Sequence, residues 1–299
     1  MSSTTEELRS QEHPLTVSVV VPTFRDWDRL AKCVVALQRQ TYPAHLVEVL
    51  IVNNDPNDPP PTALVVGPNV RLLTEASPGS YAARNAGIEA AAGQIIAFTD
   101  ADCIPDPRWI EAAVHELKAG AERVAGHIEL FAEAARPSLA DEYELLVGFD
   151  QASYAAQGSA ATANMVTWAR HFTAVGPFDA GLLSGGDMEW GIRAYRHGIG
   201  IRYMRSSVVR HPTRGSLDAL FKKARRVAGG RTVLSTLRNE RFSVLRGLLP
   251  PKSAIAIARA SHLTVMLRVR LLAVAYALKL WNGWHALMIA LGLATPERN

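Results

Sequence analysis

Asp100 and Asp102 stand one residue apart in Ala97–Phe98–Thr99–Asp100–Ala101–Asp102, at the end of an apolar run that begins at Ile95. Two carboxylates at the rim of a buried strand repel one another and lose solvation, so a compensating cation is the natural reason for both to stay ionised. Hard oxygen ligands of this kind suit Mg2+ or Mn2+ bridging to substrate phosphates. An isolated D-x-D triplet is more often a loop carboxylate or a helix cap. Its weight therefore depends on its surroundings.

Ser184–Gly185–Gly186–Asp187–Met188–Glu189–Trp190 is the second stretch of chemical interest. Two glycines open a helix whose apolar face is expected to include Ile192 and Tyr195, which puts Asp187 near a positive helix end. Glu189 is expected on a different face. His211, after Val208–Val209 and before Pro212, supplies an imidazole, with a structural histidine as the alternative. Lys222–Lys223–Ala224–Arg225–Arg226 is a cationic run that could clamp phosphate or form a solvated helix face. Cys33 and Cys103 are far apart in sequence and lack metal-ligand spacing, so two reduced thiols are expected.

Strands and helices alternate around these groups. β-Branched runs at 17–21 and 47–52 stop at Pro22–Thr23 and Asn53–Asn54–Asp55, a weaker run at 70–74 precedes Ser77–Pro78–Gly79–Ser80, and a fourth covers 95–98. Helical spacing is read at 29–40, with Leu30, Val34 and Leu37 inward, at 80–92 with Ser80 as N-cap, and at 108–118. A strand is expected at 123–130, a helix around Tyr143 and a short strand at 163–166. This alternation predicts an open, mostly parallel sheet flanked by helices, an α/β fold with its ligands beyond the carboxyl ends of the strands. Neither a G-x-G-x-x-G fingerprint nor a G-K-[ST] loop is present, which argues against dinucleotide and P-loop chemistry.

Charge is unevenly distributed. The net +4 combines 18 basic against 3 acidic residues from Ile201 onward with 14 against 25 before it. Positive charge seeks phosphate in nucleic acid, lipid or a diphosphate substrate. In the segment 253–293 it is interleaved with lipid-like apolar runs rather than lying on a polar groove, so nucleic acid is not the expected partner. Lys279, Asn282 and His285 interrupt the apolar windows there, which disfavours a spanning helix and favours an interfacial helix or hairpin. Arg268, Lys279 and Asn282 are expected on one narrow side, opposite a broad apolar surface that lies on a membrane or packs on protein. Residues 1–14 carry no apolar leader and are expected to form a flexible arm on a cytoplasmic protein.

From Thr16 to Arg231 these ordered motifs resemble the family-two inverting glycosyltransferases of the GT-A fold. That resemblance implies a domain at 15–231, with 232–299 as a basic and apolar helical extension. It also implies metal-dependent transfer, using Mn2+ or Mg2+, from a nucleotide-sugar donor, with a UDP-sugar expected, to a glycan or lipid-linked acceptor. By similarity, Pro22, Thr23, Arg25, Asn54, Arg84, Asn85, Asp100, Ala101, Gly186, Arg225 and Arg226 would contact the donor. Asp102 and His211 would bind the metal, and Asp187 would be the catalytic base. The sequence departs from the family pattern at Asn54, where a carboxylate is usual, and at Gly186, where glutamate is commoner. The resemblance further implies a bacterial enzyme of surface polysaccharide or glycolipid assembly, peripheral at the inner membrane face and compatible with an oligomer. The missing Q-x-x-R-W signature leans toward single addition. A membrane-associated adaptor and a sugar-phosphate nucleotidyltransferase remain as rival readings.

Overall fold

The computed structural model describes residues 14–62, 64, 67–182, 184–237 and 250–294, so the expected flexible arm lies outside the described residues except for Pro14. Its first half alternates β1 (Val17–Thr23), α1 (Trp27–Leu37), β2 (Val47–Asn53), β3 (Val70–Thr74), α2 (Ser80–Ala90) and β4 (Ile95–Phe98). Then follow β5 (Ile104–Pro105), α3 (Trp109–Lys118), β6 (Arg123–Phe131), α4 (Leu139–Val147) and α5 (Gln151–Ala156). The remainder comprises β7 (Met165–Trp168), α6 (Arg170–Val175), α7 (Gly186–Arg196), β8 (Arg202–Pro212), α8 (Leu217–Leu237), α9 (Lys252–Arg259) and α10 (Val265–Ala290).

The strands form one sheet in the order β3-β2-β1-β4-β7-β6-β8-β5. The first four are parallel neighbours, so the chain leaves each of them at the same edge, and Thr23, Asn53 and Asp100 gather there. β7 enters antiparallel to both β4 and β6, while β6 and β8 run parallel. Burial of both faces explains the near-continuous apolar sequences of β1, β2 and β4.

Each face of the sheet carries its own core. α1 and α3 cover one, with Leu30, Val34, Leu37 and Trp109 buried against Val19, Ile51 and Ala97. α2, α6 and α7 cover the other, where Phe98, Phe172, Phe178 and Trp190 stack among Val20, Leu50 and Ile96. Asn164 sits under the sheet as a hydrogen-bond hub. It accepts from Trp109 Nε1 at 2.8 Å and donates to the His127 and Ser207 carbonyls at 2.8 and 2.9 Å. Those carbonyls flank the irregularity in the β6–β8 pairing at Gly126/His127, whose backbone groups would otherwise go unpaired.

Local expectations need three corrections. Gly79, at φ +127°, is the N-cap of α2, and Ser80 is the first helical residue. Tyr195 is 66% exposed, because α7 turns Trp190 and Ala194 inward instead. The long strand β8 lay unread around Val208–Val209, since its exposed first half, Arg202 to Ser206, lacks a buried face to imprint alternation.

For α10 the sequence left open whether the broad apolar surface packs on the protein. The narrow polar side is turned toward the protein: Asn282 is buried and donates to the Ala224 carbonyl of α8 at 2.7 Å. Beside it Leu271, Val274 and Ala275 close on α4, α8 and α9. The opposite, apolar side remains exposed.

Candidate functional site

The carboxyl edge of the parallel strands positions the first group of residues. Asp100 and Asp102 occupy the turn after β4, and His211 reaches them from the end of β8. Ligand atoms of Asp100, Asp102, Cys103 and His211 all lie within 4.8 Å of one another. His211 Nε2 is 3.8 Å from Asp102 Oδ1, while its Nδ1 is 2.6 Å from the Pro212 carbonyl. A carbonyl only accepts, so Nδ1 donates to it, and Nε2 is the ring nitrogen turned toward the carboxylates. Burial pushes the Asp102 carboxyl above its ordinary range, an effect that His211 opposes and Asp100 reinforces. Two carboxylates and an oriented imidazole form a donor set that fits Mn2+ or Mg2+. Cys103 and Cys33 are free and fully buried, and burial raises both thiols, which makes them poor nucleophiles.

Arg84 ties this cluster to α2. Its Nη2 donates to Asp100, its Nη1 to the Ser80 carbonyl at 3.2 Å, and its guanidinium lies 5.6 Å from the Tyr81 ring centre. The Tyr81 hydroxyl donates to Asp187 Oδ1 at 3.2 Å. Asp187 also accepts from its neighbour Met188 N at 2.9 Å and from Thr162 N at 3.4 Å. Burial raises the Asp187 carboxyl above the ordinary aspartate value, with Arg84 pulling in the opposite direction. A chain of contacts therefore runs from the acidic cluster through Arg84 and Tyr81 to Asp187. Glu189 is turned away and holds Arg193 at 2.7 Å.

Gly186 explains its own departure from the family pattern. A Cβ there would meet the Tyr81 ring at 2.8–2.9 Å, so a larger residue requires that ring to move.

At the β1–β2 end, Arg25 adopts φ +53° and its Nε donates to Asp55 at 2.7 Å. Pro22 lies within β1, and Thr23 is buried with its Oγ1 lacking a partner among the described residues. Asn54 donates to the Glu75 and Ser77 carbonyls at 2.9 and 2.8 Å and accepts from Gly79 N at 2.7 Å. Both amide hydrogens are thus committed to stapling the β3–α2 loop. Asn85 is similarly engaged, bonding both backbone groups of Phe178. Ala101 is buried in the turn itself.

The cationic run lies on α8. Arg226 is partly buried with its Nε lacking a partner among the described residues, and burial together with Arg214 lowers it while Tyr81 and Asp100 act in the other direction. Lys223 and Arg214 instead grip buried Glu144 at 3.0 and 2.8 Å. Arg225 is half-buried on the same helix. Next to Asp102 and His211 opens a cleft of about 550 Å3, walled by Arg29, Glu133, Asp141 and Arg214.

Sequence reasoning missed Tyr81, Thr162 and Asp55. Asp55 stood inside a motif already singled out. Tyr81 and Thr162 carry no signal of their own, because their partner Asp187 is 106 and 25 residues away.

Comparison with known proteins agrees with this arrangement. The signature of Glycosyl transferase family 2 matches residues 18–138, and that of Glycosyl transferase family group 2 matches residues 95–295. Glycosyltransferase AglE of Haloferax volcanii is 34% identical over 221 residues, covering 72% of each chain. An uncharacterised glycosyltransferase, YibD of Escherichia coli, is 37% identical over 93 residues, 29% of this chain and 26% of its own. The solved mannosyltransferase PcManGT from Pyrobaculum calidifontis, in complex with GDP-Man and Mn2+, shares the fold with a TM-score of 0.58 at 19% identity, covering 94% of this chain and 88% of its own. S. aureus TarS does so at 0.54 and 16%, over 92% of this chain and 55% of its own. With the GT-A architecture and these matches together, the chain belongs to glycosyltransferase family 2.

Proposed function

We propose that the protein transfers a sugar, with inversion and with a divalent metal, from a nucleoside-diphosphate sugar to a hydroxyl of a glycan or lipid-linked glycan. The observation that carries this reading is the continuous chain from Asp100, Asp102 and His211 through Arg84 and Tyr81 to Asp187. Asp102 and His211 would hold Mn2+ or Mg2+, which when bound neutralises charge on a departing diphosphate. Arg84 and Arg226 add fixed positive charge at the same place. Asp187 takes the proton of the acceptor hydroxyl as its oxygen forms the new bond to the anomeric carbon. The bond to the diphosphate breaks on the opposite face, which inverts the centre. Raising the Asp187 carboxyl above its ordinary value makes it a better proton acceptor at neutral pH, and such general-base help is worth about a hundred- to ten-thousand-fold.

Arg25, Asp55 and Thr23 frame the nucleoside end of the donor, where the base would stack or pair beyond β1 and β2. Pro22 and Ala101 supply backbone shape there. Asn54 and Asn85 contribute by holding loops, since their amides are already engaged. The catalytic unit is assigned to 15–231 and the helical extension to 232–299, with α8 running across the boundary. A peripheral position at the inner membrane face, in bacterial surface polysaccharide or glycolipid assembly, completes the proposal. Family membership sets aside the adaptor and nucleotidyltransferase readings.

The test is product analysis with a panel including UDP- and GDP-sugars and Mn2+. Release of nucleoside diphosphate and a product of inverted anomeric configuration is the expected result. Release of pyrophosphate, or retention of configuration, would overturn the mechanism.

A further inference from the structure

A surface helix ordinarily turns its polar side to water and its apolar side to the core. α10 reverses this. Asn282 faces the protein, whereas Met266, Leu280 and Trp284 on the outside are 71%, 70% and 56% exposed. Val269, Tyr276 and Leu287 continue the same stripe at helical spacing, along a helix about 39 Å in length. From Pro250 to Ala294 there are five Lys or Arg and no acidic residue, with Lys252, Arg259 and Arg270 exposed. No helix among the described residues is long and apolar enough to cross a membrane.

We infer that the outer face of α10 lies flat in the headgroup layer of an anionic lipid surface, and that this docking holds α8 in register with the sugar-transfer site. The inference rests on the membrane attachment proposed above, and adds the docking face, the charge of the lipid and a link to the chemistry. An exposed apolar stripe that includes Trp281 and Trp284, with exposed Arg270 on the same helix and a segment free of acids around it, matches the interface between acyl chains and anionic headgroups. A second copy on the same face would bring cationic helices together without acids to pair them. The link to the site is short: Asn282 holds the Ala224 carbonyl, two residues before Arg226. α4, whose cap residues Ser138 and Asp141 wall the cleft, packs on the inner side of α10. An acceptor anchored in the bilayer would thus meet a site opening beside the docked helix.

Co-sedimentation of the full-length chain with phosphatidylcholine vesicles, and with vesicles containing phosphatidylglycerol, tests this. The anionic vesicles should bind the protein more tightly, and added salt should weaken that preference. Leu280→Glu combined with Trp284→Glu should cut vesicle affinity about tenfold or more. These side chains are exposed, so the thermal midpoint and the hydrolysis of a nucleotide sugar in solution should match the wild type. Wild-type protein left in the supernatant, equal binding to neutral vesicles, or equal binding by the variant would overturn the inference. So would light scattering that shows a wild-type dimer split by the variant, with no vesicle binding. Donor hydrolysis is read without lipid, so failure of docking and failure of the transfer reading give different results.

Discussion

The Tyr81 hydroxyl donates to Asp187 Oδ1 at 3.2 Å, joining the first turn of α2 to the first turn of α7 across 106 residues of chain. This contact sets the position of the proposed base and favours its ionised form, while burial works against that form. Burial together with the Asp187 charge also keeps the Tyr81 hydroxyl protonated, so it can only donate to the carboxylate.

Asp187→Asn should fold, bind nucleotide as the wild type does and lose about a hundred- to ten-thousand-fold in turnover. Its stability should follow a definite sign. A carboxyl raised in the folded state binds its proton more tightly there than in the unfolded chain, so its ionisation destabilises the fold as pH rises through the raised value. The variant should therefore melt no lower than the wild type at neutral pH, and any advantage should shrink on acidification. Calorimetry and steady-state kinetics read both.

Turnover should fall as pH drops through the Asp187 pKa, with a midpoint above the ordinary 3.8. Tyr81→Phe removes a hydrogen bond to the ionised form, so the midpoint should move further upward at a stability cost of about 1 kcal/mol. An unchanged pH profile in that variant would separate Tyr81 from the base.

Metal binding should depend on Asp102 and on Nε2 of His211. His211→Ala and Asp102→Asn should each weaken Mn2+ affinity at least about tenfold, measured by titration calorimetry or electron paramagnetic resonance. Because burial raises the Asp102 carboxyl, proton and metal compete, and wild-type affinity should increase with pH. Affinity independent of pH and of His211 would place the ion elsewhere.

Asn54→Asp restores the carboxylate usual in the family, yet it should destabilise this chain. The two carbonyls that now receive amide hydrogens would face a negative oxygen, at a cost of about 2 kcal/mol or more. Urea denaturation tests this directly, and an unchanged midpoint would mean that the loop can rearrange freely.

Much of the donor half was legible because its signals are local. β-Branched runs mark β1 and β2, Leu30, Val34 and Leu37 fall inward as their spacing requires, and Asp100 and Asp102 follow β4 at once. The half that carries Asp187 was less legible. Its strands are short or half exposed, and its key contacts, such as Thr162 to Asp187, are made by backbone groups that residue type does not encode. Asn54 shows a further limit: a polar residue at a ligand-facing edge looks the same in sequence whether it meets substrate or holds a loop. α10 was identified as amphipathic, but which side meets the protein was settled by Asn282 finding a carbonyl on α8.

The antiparallel insertion of β7 between β4 and β6 has a mechanical consequence. It divides the sheet into an upstream portion that carries the Asp100–Asp102 turn and a downstream portion that carries Asp187 and His211, joined across the seam by Tyr81 against Asp187 and Gly186 and by His211 beside Asp102. A shift of either portion therefore displaces the Tyr81–Asp187 and His211–Asp102 contacts together, so the acidic groups keep their spacing only while the seam stays closed.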